Sequence, residues 1–419
     1  MRSLRIILVI WLTCLSTAHA VWAQGDFYLK DGDRVVFYGD SITEQRLYTT
    51  YTETYVVTRF PQLNVHFVHS GVGGDRVTGG WAGPIDLRLK RDVFPYKPTV
   101  MTIMLGMNDG SYRAFDTKIF DIYKTGYQHI LDSVKETLPS IRLTLIQPSP
   151  YDDVTRPARF AGGYNAVMIR YGQFVKEMAL QQDCSLADLN TSLVAALEKA
   201  ETIDPETAKK IIPDRVHPGP SGHLLMAEAL LKAWNAPATV TAVEIDAAAV
   251  RAVQTENTEV SDLKASNGLS WTQNDKALPM PVNMEDPVVK LAMQSSDFFK
   301  ALDWQPLKVV GLKGRQYLLK IDGLELGSFT RQQLADGLNL AELPTPMVKQ
   351  SQAVHDFTVK HNNIHAVRWR ELQVTLAQQP LPHLPQALEA LDNVEDDLVA
   401  LQRQNAQPRN HHYELLLQE

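Results

Sequence analysis

Between residues 34 and 235 the chain alternates short apolar runs with longer amphipathic stretches. Short apolar runs bounded by turn residues predict buried strands, and apolar positions spaced three or four apart predict helices. The predicted strands cover residues 34–38, 65–69, 99–105, 142–146 and 185–189. The predicted helices cover residues 48–60, 117–138, 165–182 and 222–234. This alternation is typical of an α/β protein, and we expect a three-layer α/β/α sandwich on a parallel sheet.

The pattern changes beyond residue 236. Strand-like runs at 240–245 and 307–310 are followed by alternation over 316–329, where Asp322-Gly323 favours a type I′ hairpin turn. After Pro346 the apolar spacing becomes helical, with a stripe over residues 388–401. These runs predict a C-terminal α+β region.

The length of the chain supports this division. A chain of 419 residues exceeds the size at which one hydrophobic core stops growing. We predict one domain at 24–235, over the α/β pattern, and a C-terminal region of unknown role at 236–419. That region suits carbohydrate binding, covering of a crevice, or a dimer interface. Its three tryptophans, which suit either sugar stacking or core packing, are Trp271, Trp304 and Trp369.

The N-terminus has the three-part pattern of a secretory signal. Arg2 and Arg5 precede an apolar run at 6–15, and small residues follow at 18–23. We therefore predict that residues 1–23 are a cleaved signal peptide and that the protein is secreted or periplasmic. The apolar run is short for a membrane span, which favours cleavage over the alternative of an uncleaved anchor. Cleavage near Ala20 or Ala23 would leave no other transmembrane candidate, so no stable membrane insertion is expected after it.

The charge balance bears on possible partners. The formal net charge is −7, and loss of the positive Arg2 and Arg5 would make it −9. An acidic chain lacks the long-range attraction by which proteins bind nucleic acid, so we predict no nucleic-acid partner. A neutral substrate, such as an acylated sugar or lipid or another small-molecule or polysaccharide ester, fits this balance better. The sequence does not determine the oligomeric state.

Polar residues and glycines directly follow the first three predicted strands, where parallel sheets gather their active sites. Ser41 follows the first strand and suits a nucleophile, although a serine there also suits a helix cap. Gly74 follows the second strand and Asn108 the third. A backbone or side-chain amide at these positions can donate to an oxyanion, although both residue types also suit turns.

A candidate base lies before the last helix, in the segment Asp214-Arg215-Val216-His217-Pro218. His217 can accept a serine proton, and Asp214 is close enough in sequence to hold the far ring nitrogen. An isolated Asp-x-x-His is also a common surface ion pair. The functional interpretation therefore depends on the combination with the strand-end residues.

In order and spacing, these four segments resemble the motif blocks of the SGNH (GDSL-like) hydrolase family, over roughly residues 31–235. The resemblance implies a flavodoxin-like sandwich in which Ser41, Gly74, Asn108 and His217 are the namesake residues. It implies that Ser41 is the nucleophile and that Asp214 orients His217. The implied oxyanion hole consists of the Ser41 and Gly74 backbone amides and the Asn108 side-chain amide.

Three further aspartates accompany the motifs, and we expect them to support the reacting residues or their turns: Asp40, Asp75 and Asp109. Neither a metal nor a cofactor is required for the predicted chemistry. His361 and His365 have the spacing of a metal pair on a helix but lack an adjacent glutamate, which favours a packing role.

Two other features are open to more than one interpretation. The sequence contains no Gly-x-Ser-x-Gly, the signature of the α/β-hydrolases, and Ser221, its nearest imitation, is typical of a helix cap. Residues 151–160 follow the fourth predicted strand and suit either substrate contact or a solvated loop.

The predicted reaction is ester hydrolysis through an acyl-enzyme on Ser41. Secretion, an acidic surface and an added β-containing region favour a carbohydrate acetyl esterase. A lipase or lysophospholipase and an aryl esterase are the alternatives within the family. A catalytically silent binding protein is the alternative of another class.

Overall fold

The computed structural model describes residues 26–418, so the predicted signal peptide lies outside the described residues. Five parallel strands form the central sheet, and the second strand along the chain lies at one edge, beside the first. The third, fourth and fifth strands follow in order on the other side, which is the flavodoxin-like arrangement. In chain order the strands are Arg34–Gly39, His66–Gly71, Val100–Met104, Arg142–Ile146 and Ser185–Ala187.

Helices cover both faces of this sheet, which explains why its strands are continuous apolar runs. All of Val100–Met104 is buried, as is Arg34–Gly39 apart from its first residue. The helices of this half are Ser41–Glu44, Leu47–Arg59, Ile85–Asp92, Thr117–Thr137, Asn165–Gln181, Leu189–Ile203, Pro205–Ala208 and Pro220–Ala233. The predicted α/β/α sandwich on a parallel sheet is confirmed.

The largest difference in this half concerns the fifth strand. It was expected to continue to residue 189 but ends at Ala187, because the Asp188 side chain accepts from the Thr191 N–H at 2.9 Å and caps the helix Leu189–Ile203. The sequence analysis also overlooked the helix Ile85–Asp92. Leu189–Ile203, which was also not predicted, buries a stripe of Leu189, Leu193, Ala196, Leu197 and Ala200, whereas Ile85–Asp92 has only eight residues.

The C-terminal region contains two further sheets. One has the order Thr258–Ser266, Gly268–Asp275, Asn410–Leu417, Gln316–Ile321 and Leu324–Thr330. The other has the order Leu338–Asn339, Pro306–Val310, Ala242–Asp246 and Arg251–Glu256. The predicted hairpin turn is confirmed, since Asp322 and Gly323 both have positive φ, +51° and +78°.

The C-terminal helices are Pro287–Ser295, Phe298–Leu302, Arg331–Asp336, Pro346–Ala366 and Leu384–Asn405. A π-helical segment, Val367–Val374, continues the fourth of these. Met280, Val289 and Phe298 are buried in the same hydrophobic core as the parallel sheet, so parts of the chain beyond residue 235 pack on the catalytic half. Trp271 and Trp369 are buried, whereas Trp304 is 38% exposed.

The helix Pro346–Ala366 packs on Leu47–Arg59, and a buried carboxylate lies between them. Glu53 accepts from His361 Nε2 at 2.6 Å and from Gln402 Nε2 at 2.9 Å. Burial acts to raise the pKa of Glu53, but the positive charge of His361 outweighs it and holds this pKa well below its usual range. Burial acts to lower the pKa of His361, but Glu53 and Glu395 raise it to about 9. This buried ion pair joins the two halves of the protein.

The contacts of His361 and His365 are those of buried, packed side chains. His361 bonds to Glu53, and His365 lies 3.4 Å from Glu395. Within residues 26–418 no group of three or more His, Cys, Asp or Glu side chains is arranged to hold a metal ion. The same residues contain no helix with the length and apolarity needed to span a bilayer.

We expect Glu53→Gln to lower the free energy of unfolding at pH 6 by about 3 kcal/mol or more, because it removes the nearer of the two carboxylates that stabilise a buried, protonated His361. This loss of unfolding free energy should be largest between pH 4.5, the ordinary pKa of glutamate, and pH 6.5, the ordinary pKa of histidine. Since His361 has a raised pKa, its contribution is lost as the pH rises through about 9. Denaturant titrations across this pH range measure the difference.

Glu206→Gln is the matched control, because that carboxylate pairs with Lys209 but is 82% exposed. Its removal should cost less than about 1 kcal/mol. Equal costs for the two substitutions at pH 6 would contradict the assignment.

Candidate active site

Ser41 lies where the first strand passes into a short helix. The strand ends at Gly39, and the Asp40 side chain caps the helix Ser41–Glu44 by accepting from the Ile42 N–H at 3.1 Å. A side chain at position 39 would collide with Thr43, since a Cβ there would be 2.2 Å from Thr43 Oγ1. Because Asp40 is the cap, the Ser41 hydroxyl is not used for capping.

The Ser41 hydroxyl meets His217 from the opposite side of the crevice. Ser41 Oγ lies 2.9 Å from His217 Nε2, and His217 Nδ1 lies 2.7 Å from Asp214 Oδ2. Asp214 Oδ1 also accepts from the N–H groups of Val216 and His217, at 2.9 and 2.7 Å. An ionised Asp214 accepts the Nδ1 proton, which leaves Nε2 free to accept from the serine. The three side chains form one continuous hydrogen-bonded chain.

The charge of Asp214 is stabilised where it stands. Burial acts to raise the pKa of Asp214, but the hydrogen bonds from His217 and Val216 outweigh it, so the pKa lies below its usual value. Arg215, which directly follows Asp214, has φ of +77°, a conformation that non-glycine residues rarely adopt. The loop therefore holds a strained turn that brings the carboxylate under the imidazole.

The segment after the fourth strand supports this loop. The Arg156 guanidinium donates to the carbonyl oxygens of Lys209, Ile212 and Pro213 at 2.9–3.0 Å. Its Nη1 also donates to Asp152 Oδ2 at 2.6 Å, and Asp152 is fully buried. Asp152 and Arg156 therefore secure the loop that carries Asp214. Of the two alternatives for residues 151–160, a solvated position is excluded for the buried Asp152, and substrate contact stays a prediction.

The two backbone amides predicted to face an oxyanion are unused. Within residues 26–418 neither the Ser41 N–H nor the Gly74 N–H donates to a protein acceptor. Gly74 has φ of +77°, a backbone conformation that favours glycine over residues with a side chain. The space around it is open, since a Cβ there would have no atom within 4 Å. These amides are available to a bound oxygen.

The Asn108 amide is held by its neighbours. Its Nδ2 donates to the Asp75 carbonyl at 3.1 Å and lies 3.5 Å from Asp40 Oδ2. Its Oδ1 accepts from the Tyr112 hydroxyl at 3.0 Å. The sequence analysis did not identify Tyr112, which comes four residues later and carries no motif. Asn108 thus stands between the first two motif segments, with its amide orientation fixed by a phenol.

The three motif aspartates are buried, and none of them hydrogen-bonds to Ser41 or His217 among the described contacts. Burial raises the pKa of Asp40 and of Asp109 to about 7. Burial also raises the pKa of Asp75, although its contact with Arg88, at 2.8 Å, opposes the shift. Asp109 accepts from the Val77 N–H at 3.0 Å, which ties the second motif segment to the third.

A residue of the C-terminal region also reaches the site, which the sequence analysis did not anticipate. Glu44 Oε2 accepts from the Gly73 N–H at 2.8 Å, and Glu44 Oε1 accepts from Arg370 Nε at 2.9 Å. The Arg370 guanidinium lies over the Trp81 ring, 4.1 Å from its centroid. More than 300 residues separate Glu44 from Arg370, so no local pattern could have identified this contact.

A cleft of about 500 Å³ opens beside Ser41 and His217. Its other lining residues include Glu44, Gln45, Leu47, Pro213 and Pro218. An electrophile that enters this cleft reaches the serine hydroxyl from the side on which His217 can accept its proton. The arrangement is therefore suited to acyl transfer.

Comparison with known proteins agrees with this geometry. The sequence model of the GDSL-like Lipase/Acylhydrolase family matches residues 37–225. An acetylxylan esterase from Geobacillus stearothermophilus is 26% identical over 225 residues, which cover 49% of this chain and 94% of that protein.

Solved structures are similar as well. Axe2, an acetylxylan esterase from Geobacillus stearothermophilus, has a TM-score of 0.41 and 23% identity, covering 50% of this chain and 96% of its own. A gut microbial diltiazem-metabolizing enzyme has a TM-score of 0.81 and 25% identity, covering 93% of this chain and 98% of its own. That second match extends through the C-terminal α+β region. Residues 37–225 of this chain are therefore similar to the GDSL-like Lipase/Acylhydrolase family, and their parallel sheet with helices on both faces is the fold expected of an SGNH hydrolase.

Proposed function

We propose that this protein is a secreted serine esterase that forms an acyl-enzyme on Ser41. The observation that carries the proposal is the hydrogen-bonded chain from Ser41 Oγ through His217 to Asp214, with distances of 2.9 and 2.7 Å. This is the arrangement that a weak hydroxyl nucleophile needs, because a neighbouring base must accept its proton during attack. The match of residues 37–225 to an acylhydrolase family supports the same chemistry.

The reaction proceeds in two steps. Ser41 Oγ attacks the ester carbonyl carbon while its proton passes to His217 Nε2, and the tetrahedral intermediate collapses as His217 returns that proton to the departing alcohol oxygen. Water then attacks the acyl-serine, with His217 again accepting a proton, and the carboxylic acid leaves as Ser41 regains its hydrogen. Asp214 keeps the proton on Nδ1 and stabilises the imidazolium at each attack.

The negative oxygen of each intermediate is stabilised by the Ser41 and Gly74 backbone amides and by the Asn108 side chain. Within residues 26–418, the N–H groups of Ser41 and Gly74 donate to no protein acceptor. The Asn108 amide is held by Tyr112 and Asp75, so it needs little reorganisation. Fixed donors of this kind lower the barrier because they are already oriented when the charge develops.

The substrate proposed is an acetylated carbohydrate. The related proteins named acetylxylan esterases support this class, as does the predicted export of the chain. The diltiazem-metabolizing enzyme, which matches a larger part of the chain, supports activity on small-molecule esters as well. Fatty-acyl and aryl esters are the alternatives.

Substrate choice is tested by parallel assays of acetate release from acetylated xylan, fatty-acid release from a lysophospholipid, and phenol release from phenyl acetate. We expect the highest kcat/KM for the acetylated xylan, since the curated relative that matches this half of the chain is named an acetylxylan esterase. A higher kcat/KM for the lysophospholipid would overturn the carbohydrate assignment and leave the esterase assignment standing.

Ser41→Ala should reduce kcat by on the order of 10⁴-fold or more, because no other group in the cleft can form the acyl-enzyme. A fluorophosphonate probe should label the wild type on Ser41 and leave the folded variant unlabelled. Ser221→Ala, at the other serine considered, should retain activity, since Ser221 is buried in the helix Pro220–Ala233. Full activity of folded Ser41→Ala would refute the mechanism, and an unlabelled wild type without esterase activity would favour a silent binding protein.

Asp214→Asn should lower kcat by on the order of 10²–10⁴-fold with little change in KM, because an amide cannot hold His217 in the productive tautomer. Asp204→Asn is a matched control. Asp204 also accepts from backbone N–H groups two and three residues later, at 3.2 and 3.1 Å, but it lies outside the cleft. Steady-state kinetics distinguish the two variants, and an equal effect of both would argue against the role of Asp214.

A further inference from the structure

Trp81 is an exposed tryptophan at the edge of the site. It lies at the tip of a short hairpin formed by Gly79–Gly80 and Gly83–Pro84, and it is 57% exposed. Its indole Nε1 donates to the Gly73 carbonyl at 2.9 Å. Gly73 is next to the nucleophile, since a Cβ placed on it would be 3.8 Å from Ser41 Cβ. The indole is therefore attached to a residue that adjoins the reacting serine.

The C-terminal region holds this tryptophan in place. The Arg370 guanidinium lies 4.1 Å from the centroid of the Trp81 ring, and its Nε donates to Glu44 at 2.9 Å. The next hairpin residue, Ala82, is buried in a cluster with Trp369. The tip is thus fixed by an indole hydrogen bond, a cation–π contact and an apolar contact, while more than half of Trp81 faces solvent.

A rigid aromatic surface of this kind is typical of a binding site. Immobilising an exposed tryptophan gains little for folding, because the ring removes little apolar area from water. At a binding surface the same ring offers a large contact area at low cost in conformational entropy, which is why tryptophan dominates binding hot spots. Glu44 and Arg370, beside the ring, are 28% and 25% exposed and offer polar contacts to hydroxyl groups.

We propose that Trp81 is the platform on which the pyranose ring of an acetylated oligosaccharide stacks, and that Arg370 is the positioning residue that holds it. An acetyl group ends at its methyl, so contacts beyond the reacting carbonyl are made with the sugar. The C–H face of a pyranose packs on the indole face opposite the one that Arg370 covers. This inference rests on the proposed esterase function and gives the C-terminal region a role in substrate specificity.

Binding tests the platform separately from turnover. Isothermal titration calorimetry of full-length Ser41→Ala with acetylated xylo-oligosaccharide should show binding, and adding Trp81→Ala should weaken it roughly tenfold. Trp304→Ala is the matched control. Trp304 is also exposed, by 38%, but it lies in the C-terminal region, where its backbone forms a β-bridge with Thr239. The Ser41→Ala protein that also carries Trp304→Ala should bind the oligosaccharide as tightly as Ser41→Ala alone. Undetectable binding by the parent, or equal binding with and without Trp81, would overturn the proposal.

Two further variants separate the ring face from its supports. Trp81→Phe keeps an aromatic face but loses the bond to Gly73, so its affinity should fall less than that of Trp81→Ala. Arg370→Met removes the cation and should weaken binding by about threefold, because the ring is less firmly held. If Trp81→Phe binds as poorly as Trp81→Ala, the indole serves only to support Gly73 and the platform is refuted.

Kinetics give an independent readout. In a Ser41-containing enzyme, Trp81→Ala should lower the ratio of kcat/KM for acetylated xylo-oligosaccharide to that for ethyl acetate by roughly tenfold, mainly through KM. An unchanged ratio would overturn the platform, since both substrates would then depend on Trp81 alike. Activity that survives Ser41→Ala would instead refute the acyl-enzyme mechanism, and the binding data would still decide the role of Trp81.

Discussion

The central constraint on this protein is that its parallel sheet is covered on both faces, so polar side chains can leave the core only at the strand ends. Ser41 and the segments of Gly74 and Asn108 all follow directly after buried strands. The approach at this edge is close, because a Cβ on Gly71 would lie 2.3 Å from the Glu44 backbone nitrogen. Glycine at the strand end therefore lets the nucleophile helix cross the neighbouring strand. The crevice is a consequence of this tight crossing.

Holding reactive groups at this edge has a cost in buried charge and backbone strain. Burial raises the pKa of Asp40 and Asp109 to about 7, which measures how poorly their charged forms are solvated. Arg215 and Tyr112 have positive φ values of +77° and +53°, conformations that cost on the order of 1–3 kcal/mol each. Surrounding hydrogen bonds offset these costs. Arg156 illustrates this, since it donates to three carbonyl groups of the segment that carries Asp214.

The C-terminal region is attached to the catalytic half through charge as well as apolar packing. Glu53 and His361 form a buried pair on one side of the nucleophile-bearing segment. Glu44 and Arg370 form a partly exposed pair at the edge of the crevice. Glu44 and Glu53 lie only nine residues apart in the sequence, so both contacts act on the same stretch of chain. A change in the packing of the C-terminal helices would therefore alter the position of the segment that follows Ser41.

The α/β architecture, the five strands of the parallel sheet, the four helices predicted between and after them, and the type I′ turn at Asp322-Gly323 could all be predicted from the sequence. These features are local, because periodicity, caps and turn residues act within a few positions of one another. The sequence also supplied Ser41, His217 and Asp214 as candidates through motif spacing. Their roles are proposals that the observed hydrogen bonds support.

Only the tertiary structure decided what the C-terminal region does at the site. Trp271 and Trp369 are buried, whereas Trp81, which has no distinguishing sequence context, is exposed and donates to the carbonyl of Gly73, near Ser41. The strand Asn410–Leu417 pairs with Gly268–Asp275 and Gln316–Ile321, and Arg370 meets Glu44 across most of the chain. Such contacts depend on how distant segments pack together. No pattern within either segment encodes its partner, because each fits its own helix or strand equally well without it.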